Sequence, residues 1–251
     1  MKLKLTLAYN GAAYCGWQAQ SNAVSVQETL TKAVADTYKK RCLVTGSSRT
    51  DSGVHARAYV CTVEGADGSD ISSVIPTEAV PRAINSKLPE DIAVLSAEIV
   101  SNDFHARYSV RSKTYEYVFH DSYVRSPFSS GLAYNVPPIS NEMLDRMDRA
   151  ARKMCGHRDF ASFMASGSKI KDTVRNVYDC RVFRRDGMVV FSVSADGFLY
   201  NMVRIMAGTA YSAATGRISP DDVDSIIDAR DRSRAGQTLP PHGLYLCRVE
   251  Y

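Results

Sequence analysis

The chain has 251 residues, of which 45% are hydrophobic and 23% are charged, values typical of a soluble globular protein. This length is enough to bury a core without disulfide or metal support, in one large domain or two smaller ones. The net charge of +4 is too small to establish a polyanionic partner, although its sign favours nucleic acid.

The six cysteines are scattered along the chain and include no Cys-x-x-Cys pair. Structural zinc sites usually need such a pair, so we expect no metal. No apolar stretch approaches the length of a membrane span, and the first residues, MKLKL, lack the apolar core of a signal peptide. We therefore expect a cytoplasmic protein with reduced thiols and no membrane partner.

In the first half, apolar residues alternate along residues 3–9, which predicts a half-buried strand. Ser25 and Glu28 form a capping box, which predicts a helix to about residue 40. The apolar residues at helical spacing on its inner face are Val26, Leu30, Ala33, Val34 and Tyr38. The only tryptophan, Trp17, lies in the loop between strand and helix. We interpret it as a core residue, with stacking on a base as the alternative.

Further along the first half, two strand-like runs flank residues 48–57, and a strand is predicted at residues 92–99. Between them we predict a short helix at residues 77–87, disturbed by Pro81. A boundary near residues 101–105 would divide the chain into an N-terminal α+β half, residues 1–103, and a C-terminal α+β half, residues 104–251.

The second half repeats this mixture of strands and helices. Strands are predicted at residues 114–120, 174–183, 188–194 and 244–249. Helices are predicted from Ser140 or Asn141 onward, at residues 199–214, and from Ser219 onward. Asp186-Gly187 is a hairpin signal between two of these strands. Because the strands do not form strict βαβ repeats, the pattern predicts an α+β fold with largely antiparallel sheet.

The most informative segment is residues 48–57, of sequence SRTDSGVHAR. It gathers a carboxylate, two guanidiniums, an imidazole and small hydroxyls between two apolar runs, and functional groups concentrate on loops of this kind. On chemistry alone two interpretations stay open: an active site around Asp51, and a polar turn whose Asp accepts backbone hydrogen bonds.

Arg204 lies in a predicted helix that is apolar nearly all round and therefore buried. A buried guanidinium without an anion is costly, so Arg204 should have an acidic partner. The residues alone leave both Asp196 and Asp51 open as that partner.

Tyr115 shares one face of a predicted strand with Tyr117 and Phe119. An aromatic core stripe accounts for Tyr117 and Phe119. For Tyr115 the alternative is a platform for a flipped base, which needs an aromatic or apolar surface.

Residues 49–56, RTDSGVHA, resemble the signature of the TruA family of tRNA pseudouridine synthases. Ser48 stands where that family usually has glycine. Four further segments are similar to family motifs and occur in the same order along nearly the whole chain. They are residues 104–107 (FHAR), the strand of Tyr115, residues 198–204 (FLYNMVR) and residues 240–246 (PPHGLYL).

The resemblance implies the pseudouridine synthase fold: two α+β halves whose sheets abut, with a central cleft. It implies a homodimer that isomerises uridine to pseudouridine at positions 38 to 40 of the tRNA anticodon arm, without a cofactor. In the site it implies Asp51 as the catalytic carboxylate, Arg204 as its partner, and Tyr115 as the residue that stacks on the base and acts as general base. Leu244 is expected to line the uracil pocket.

Two arginines are expected to bind RNA. Arg49 would occupy the space of the extruded base or contact the backbone, with a solvated loop charge as the alternative. Arg107 belongs to a cluster of basic and aromatic residues that suits a phosphate-tracking surface. A second basic cluster contains Lys169, Lys171, Arg175, Arg181, Arg184 and Arg185. His55 is expected to orient its loop through a backbone hydrogen bond.

Pseudouridine formation needs an ionised carboxylate, a pocket for the detached base and a group that removes protons. The sequence does not separate attack by Asp51 on the sugar or base from removal of a ribose proton. Two rival functions remain: an RNA-binding module without catalysis, and a glycosidase that releases free uracil.

Overall fold

The computed structural model describes residues 1–21, 23–71, 73–168 and 170–251. The chain forms two compact units, one of residues 1–111 with 246–251 and one of residues 112–245. The predicted division between residues 103 and 104 stays a prediction. None of the helices in the described ranges is both long and apolar enough to cross a bilayer.

The first unit is a layer of antiparallel strands with two helices. Its elements are β1 (Lys2–Tyr9), α1 (Val26–Tyr38), β2 (Cys42–Gly46), β3 (His55–Gly65), α2 (Val80–Asn85) and β4 (Ile92–Val100). Strand β1 pairs antiparallel with both β3 and β4, and β2 pairs antiparallel with β3. The short connection from β2 to β3 therefore presents residues 47–54 at one end of this sheet.

Helix α1 forms as its sequence predicts. Ser25 Oγ accepts a hydrogen bond from the Glu28 N–H at 3.2 Å, and Lys39, with φ of 55°, ends the helix. All five predicted inner-face residues are buried. Burial of a valine or leucine side chain, such as Val26, Leu30 or Val34, contributes about 1.5–3 kcal/mol to the free energy of unfolding, so this face stabilises the packing of the helix.

Two predicted helices begin later than expected. Helix α2 starts at Val80, and Pro81 lies in its first turn, where its missing N–H costs no helical hydrogen bond. The expected disturbance by Pro81 was therefore wrong. In the second unit, Asn201 adopts a left-handed conformation with φ of 59°, and the helix expected from residue 199 begins only after it.

The second unit contains the remaining helices and most of the remaining strands. The strands are β5 (Ser112–Asp121), β6 (Tyr134–Val136), β7 (Gly156–Asp159), β8 (Val174–Arg185) and β9 (Met188–Ala195). The helices are α3 (Asn141–Arg152), α4 (Met202–Ala214) and α5 (Val223–Ala229). The last strand of the chain, β10 (Leu244–Glu250), begins in this unit and ends in the first.

Antiparallel pairing also dominates the second unit. Strand β9 lies antiparallel between β5 and β8, β7 pairs antiparallel with β8, and the short β6 runs parallel to its neighbour β5. Asp186 and Gly187 have φ of 51° and 74°, as the predicted tight turn between β8 and β9 requires. The α+β class with largely antiparallel sheet is confirmed.

Candidate functional site

Asp51 lies half-buried in the connection between β2 and β3, residues 47–54, here called the Asp51 loop. The backbone of this loop is held by hydrogen bonds to residues 14 and 17. The Trp17 N–H donates to the Thr50 carbonyl at 3.1 Å, and the Gly53 N–H donates to the Tyr14 carbonyl at 3.3 Å. Gly53 has φ of 78°, a conformation that glycine adopts without strain. The loop is therefore a fixed support for its carboxylate.

The support comes from residues 11–17, here called the glycine loop. A Cβ atom on Gly16 would lie 2.5 Å from the Thr50 carbonyl oxygen, and Gly16 has φ of 99°. A Cβ on Gly11 would collide with the carbonyl of Val54. Both positions thus require glycine for close backbone approach. This role was not predicted from the sequence, where two glycines in a short polar loop were the available signal.

His55 is 1% exposed and accepts a hydrogen bond from the Gly11 N–H on Nδ1, at 3.0 Å. A neutral ring that accepts on Nδ1 carries its proton on Nε2. The expected backbone hydrogen bond of His55 is confirmed, and it ties the glycine loop to the start of β3.

Ser48 occupies its position without backbone strain. It is not among the non-glycine residues with positive φ in the described ranges. Its N–H donates to the Tyr59 hydroxyl at 3.2 Å, and the same hydroxyl donates to the Ser48 carbonyl. Serine therefore fits at this position, although the TruA signature that residues 49–56 resemble usually has glycine before it.

Trp17 is 2% exposed and stacks on Tyr59, with ring centroids 4.0 Å apart. Its interpretation as a core residue is confirmed. One edge of the indole also reaches a groove of about 260 Å³ that is lined in part by Arg49 and Arg107. The two arginines expected to bind RNA thus lie on one groove of the first unit, and both are exposed.

In the second unit, Arg204 projects from the buried helix α4 and is half-buried. Its Nε donates to the Leu239 carbonyl at 2.6 Å, and its Nη1 donates to Asn201 Oδ1 at 2.7 Å. Both acceptors are uncharged, so these contacts orient the guanidinium without neutralising it. The alternative partner, Asp196, is exposed, and its carboxylate accepts from the Asn176 N–H at 3.0 Å.

The charge of Arg204 affects the pKa of the neighbouring His242. Burial lowers the pKa of His242 below its usual value of 6.5, and the positive charge of Arg204 lowers it further. Together with Asn201 and Leu239, these two residues are here called the Arg204 cluster. It places an oriented guanidinium close enough to the His242 imidazole to lower the pKa of that ring.

Leu244 follows the turn Pro241–Gly243 and is 6% exposed. The turn is packed against Tyr117, whose hydroxyl donates to the Pro240 carbonyl at 2.8 Å. A Cβ on Gly243 would lie 2.7 Å from the Tyr117 ring, so glycine is needed for this packing. Burial raises the pKa of Tyr117, which keeps its hydroxyl protonated.

Tyr115 is 7% exposed in β5 and packs edge-to-face on Phe198, with centroids 5.1 Å apart. Tyr117 and Phe119 are fully buried and in ring contact at 5.0 Å. The core interpretation is confirmed for these two residues. Tyr115 also has an aromatic neighbour outside β5, Phe198.

The second basic cluster is largely paired with acids. Arg184 binds the Asp121 carboxylate at 2.7 and 3.1 Å, and Arg185 binds Glu116 at 2.5 and 2.9 Å. Lys169 lies outside the described residues. These ion pairs make this cluster a weaker candidate for phosphate binding than the groove at Arg49 and Arg107. In the part of the chain that is described, no group of three or more His, Cys, Asp or Glu side chains could hold a metal ion.

Comparison with known proteins gives a consistent result. Residues 6–109 and 150–251 match the family model described as tRNA pseudouridine synthase. Asp51 and Arg204 fall within the matched ranges, and Tyr115 falls between them.

Several curated relatives, each named tRNA pseudouridine synthase A, are similar to this chain over their full length. The protein of Clostridium acetobutylicum is 40% identical over 249 residues, 99% of each chain. That of Thermoanaerobacter sp. is 39% identical over 247 residues, 98% of each chain. That of Ruminiclostridium cellulolyticum is 39% identical over 251 residues, 100% of this chain and 99% of the relative.

Proposed function

We propose, from the premise that this chain belongs to the tRNA pseudouridine synthase family, that its targets are the uridines at positions 38 to 40 of the anticodon stem-loop. Membership of the family makes the protein an isomerase that converts uridine to pseudouridine in tRNA, with the pseudouridine synthase fold. Five family-like segments in family order support the finer assignment of the target positions.

We propose Asp51 as the catalytic carboxylate. The reaction breaks the bond between uracil N1 and ribose C1′, forms one from C5 to C1′, and moves a proton from C5 while N1 regains one. Two routes use the same carboxylate: attack on the sugar or base, and removal of a ribose proton. A half-buried carboxylate on a loop fixed by the glycine loop suits both routes, because catalysis requires a group held in position.

Arg204 is proposed as the functional partner of Asp51, keeping the carboxylate ionised. The proposal is supported by the family-like segment that contains Arg204 and by the hydrogen bonds to Leu239 and Asn201 that hold its guanidinium in position. A cation near a carboxylate lowers the carboxylate pKa and holds it in the charged form.

Tyr115 is proposed to stack on the target uracil and to act as general base, and Leu244 to form an apolar wall for the base. A buried tyrosine packed on Phe198 offers a rigid aromatic surface, as a flipped base requires. Arg49 and Arg107 are proposed to bind RNA phosphates. We also propose a cytoplasmic homodimer that works without cofactor, metal or membrane.

The observation that carries the proposal is the fixed Asp51 loop within the family signature. Its test uses an unmodified tRNA transcript with tritium at uracil C5, because carbon–carbon bond formation at C5 releases that tritium. We expect release from transcripts that keep uridine at positions 38, 39 or 40. A matched transcript with cytidine at all three positions is the control.

Three outcomes would contradict the proposal. Equal release from the control transcript would place the target elsewhere in the tRNA. Free uracil in the supernatant would indicate a glycosidase. Binding of tRNA without tritium release from any transcript would indicate an RNA-binding module.

A further inference from the structure

The groove beside the Asp51 loop lies wholly within the first unit and has a volume of about 260 Å³. Five parts of the first unit line it: residues 17–18, one residue of α1, the end of β2, the Asp51 loop, and a turn that follows β4. The lining residues used below are Trp17, Gln18, Arg49, His105, Arg107 and Tyr108. This volume lies just below the range of small-ligand pockets, which begins at about 300 Å³, so the groove has room for a single small group and not for a longer segment of RNA.

The turn after β4 is held in shape by His105. Its Nδ1 accepts hydrogen bonds from the N–H groups of Arg107 and Tyr108 at 3.1 and 3.2 Å. A further pair of hydrogen bonds joins His105 to Ser109: the His105 N–H donates to Ser109 Oγ, and the Ser109 N–H donates to the His105 carbonyl. The side chains at positions 107 and 108 are therefore attached to a fixed backbone.

Tyr108 is 78% exposed, although its ring lies against the His105 imidazole with centroids 4.3 Å apart. One face of the ring is thus supported by the turn while most of the side chain remains in solvent. An exposed aromatic ring that is already oriented can stack on a base with a small loss of side-chain entropy.

The charge of the groove complements a phosphate. Arg49 and Arg107 are both exposed, and the Arg107 guanidinium lies 5.9 Å from the centroid of the Tyr108 ring. Of the described residues that line the groove, none is acidic. Guanidinium groups bind phosphate oxygens through paired hydrogen bonds, so the groove offers a phosphate site next to a stacking surface.

We propose that this groove binds one nucleotide of the tRNA strand that flanks the target uridine, with its base stacked on Tyr108 and its phosphate held by Arg49 and Arg107. The proposal rests on the proposed function for the identity of the RNA. Any of the four bases can stack on an aromatic ring. The groove should therefore add affinity and fix the position of the RNA strand without selecting a base sequence.

The test uses the only tryptophan of the chain as a local reporter, since Trp17 lines the groove. A short oligouridine is titrated into the protein while tryptophan fluorescence is followed. We expect Tyr108→Ala to weaken binding about tenfold, and Tyr108→Phe to stay within about twofold of wild type. The matched control is Tyr123→Ala, a loop tyrosine of the second unit that is 85% exposed and should not change the titration.

Salt dependence tests the phosphate contact separately. Arg107→Ala should reduce the slope of log affinity against log salt concentration by about 0.7. Affinity within about twofold of wild type for Tyr108→Ala, or an equal loss for Tyr123→Ala, would overturn the proposal, as would an unchanged salt slope for Arg107→Ala. Thermal melting of each variant shows that it is folded.

The outcome is separable from that of the proposed function. Tritium release by wild type together with normal oligouridine binding by Tyr108→Ala would contradict the proposed nucleotide site in the groove. It would not affect the proposed isomerisation. Absence of tritium release from every transcript together with the expected binding losses would contradict the proposed isomerisation at positions 38 to 40 and support the nucleotide site in the groove.

Discussion

The Asp51 loop and the Arg204 cluster are held in place by different kinds of contact. Backbone hydrogen bonds and two closely packed glycines fix the first. Side-chain hydrogen bonds from a guanidinium fix the second. Substitutions should therefore act through chain geometry in the first unit and through charge in the second.

After substitution of Asp51 itself, the largest effect is expected from removing the charge of Arg204 in the second unit. Arg204→Gln should lower kcat by about 10²–10³, as loss of one electrostatic contact in an active site commonly does. Thermal stability should change little by comparison. Tritium-release kinetics measure the loss, and Arg217→Gln, at an exposed arginine just beyond α4, is the control. Equal losses in both variants would refute a specific role for Arg204.

Geometry in the first unit is tested with two glycines that both have positive φ. Gly16→Ala should destabilise the protein by about 2–3 kcal/mol, because its Cβ would meet the Thr50 carbonyl oxygen. Gly68→Ala should cost only about 1 kcal/mol, since nothing lies within 4 Å of its Cβ position. Denaturant unfolding compares the two. An equal loss of unfolding free energy in both variants would show that the close approach of Gly16 to the Thr50 carbonyl is not important for stability.

The Arg204 cluster should also depend on pH. Because the folded pKa of His242 is below its unfolded value of 6.5, its contribution to stability is present above pH 6.5 and is lost as the pH falls below that value. Arg204→Gln removes a neighbouring positive charge and should raise the His242 pKa. NMR titration of the imidazole, assigned with His242→Gln, measures the change. A pKa that falls or stays constant would contradict the arrangement.

The smallest effect is expected at Ser48. Its backbone φ does not require glycine, so Ser48→Gly should change the free energy of unfolding by no more than about 0.5 kcal/mol. Activity should stay within about twofold, by the tritium assay. A tenfold gain would mean that serine distorts the Asp51 loop.

Local patterns were sufficient for much of the fold. The capping box and inner face of α1, and the turn at Asp186-Gly187, depend on residues within a few positions of one another. The start of α2 was misplaced because Pro81 was interpreted as a disturbance inside a helix from residue 77, whereas a proline is tolerated in a first turn and here marks the start at Val80.

Contacts between distant segments could not be read from periodicity. Gly11 and Gly16 meet residues some 35 to 45 positions away in the chain, and the groove joins segments that are further apart still. Residue chemistry made Asp51 and Arg204 candidates, and motif resemblance favoured their catalytic roles. Tyr108 belongs to the predicted cluster of basic and aromatic residues, but its exposure and its contact with His105 could not be read from the sequence.

The most direct test of the central claim is tritium release by Asp51→Asn. The variant should release no detectable tritium from a tRNA transcript that wild type converts, a loss of at least about 10⁴-fold, while binding that transcript as wild type does. Asp36→Asn, at an exposed carboxylate on α1, should behave as wild type. Tritium release by Asp51→Asn at a rate near that of wild type would contradict the assignment of Asp51 as the catalytic carboxylate.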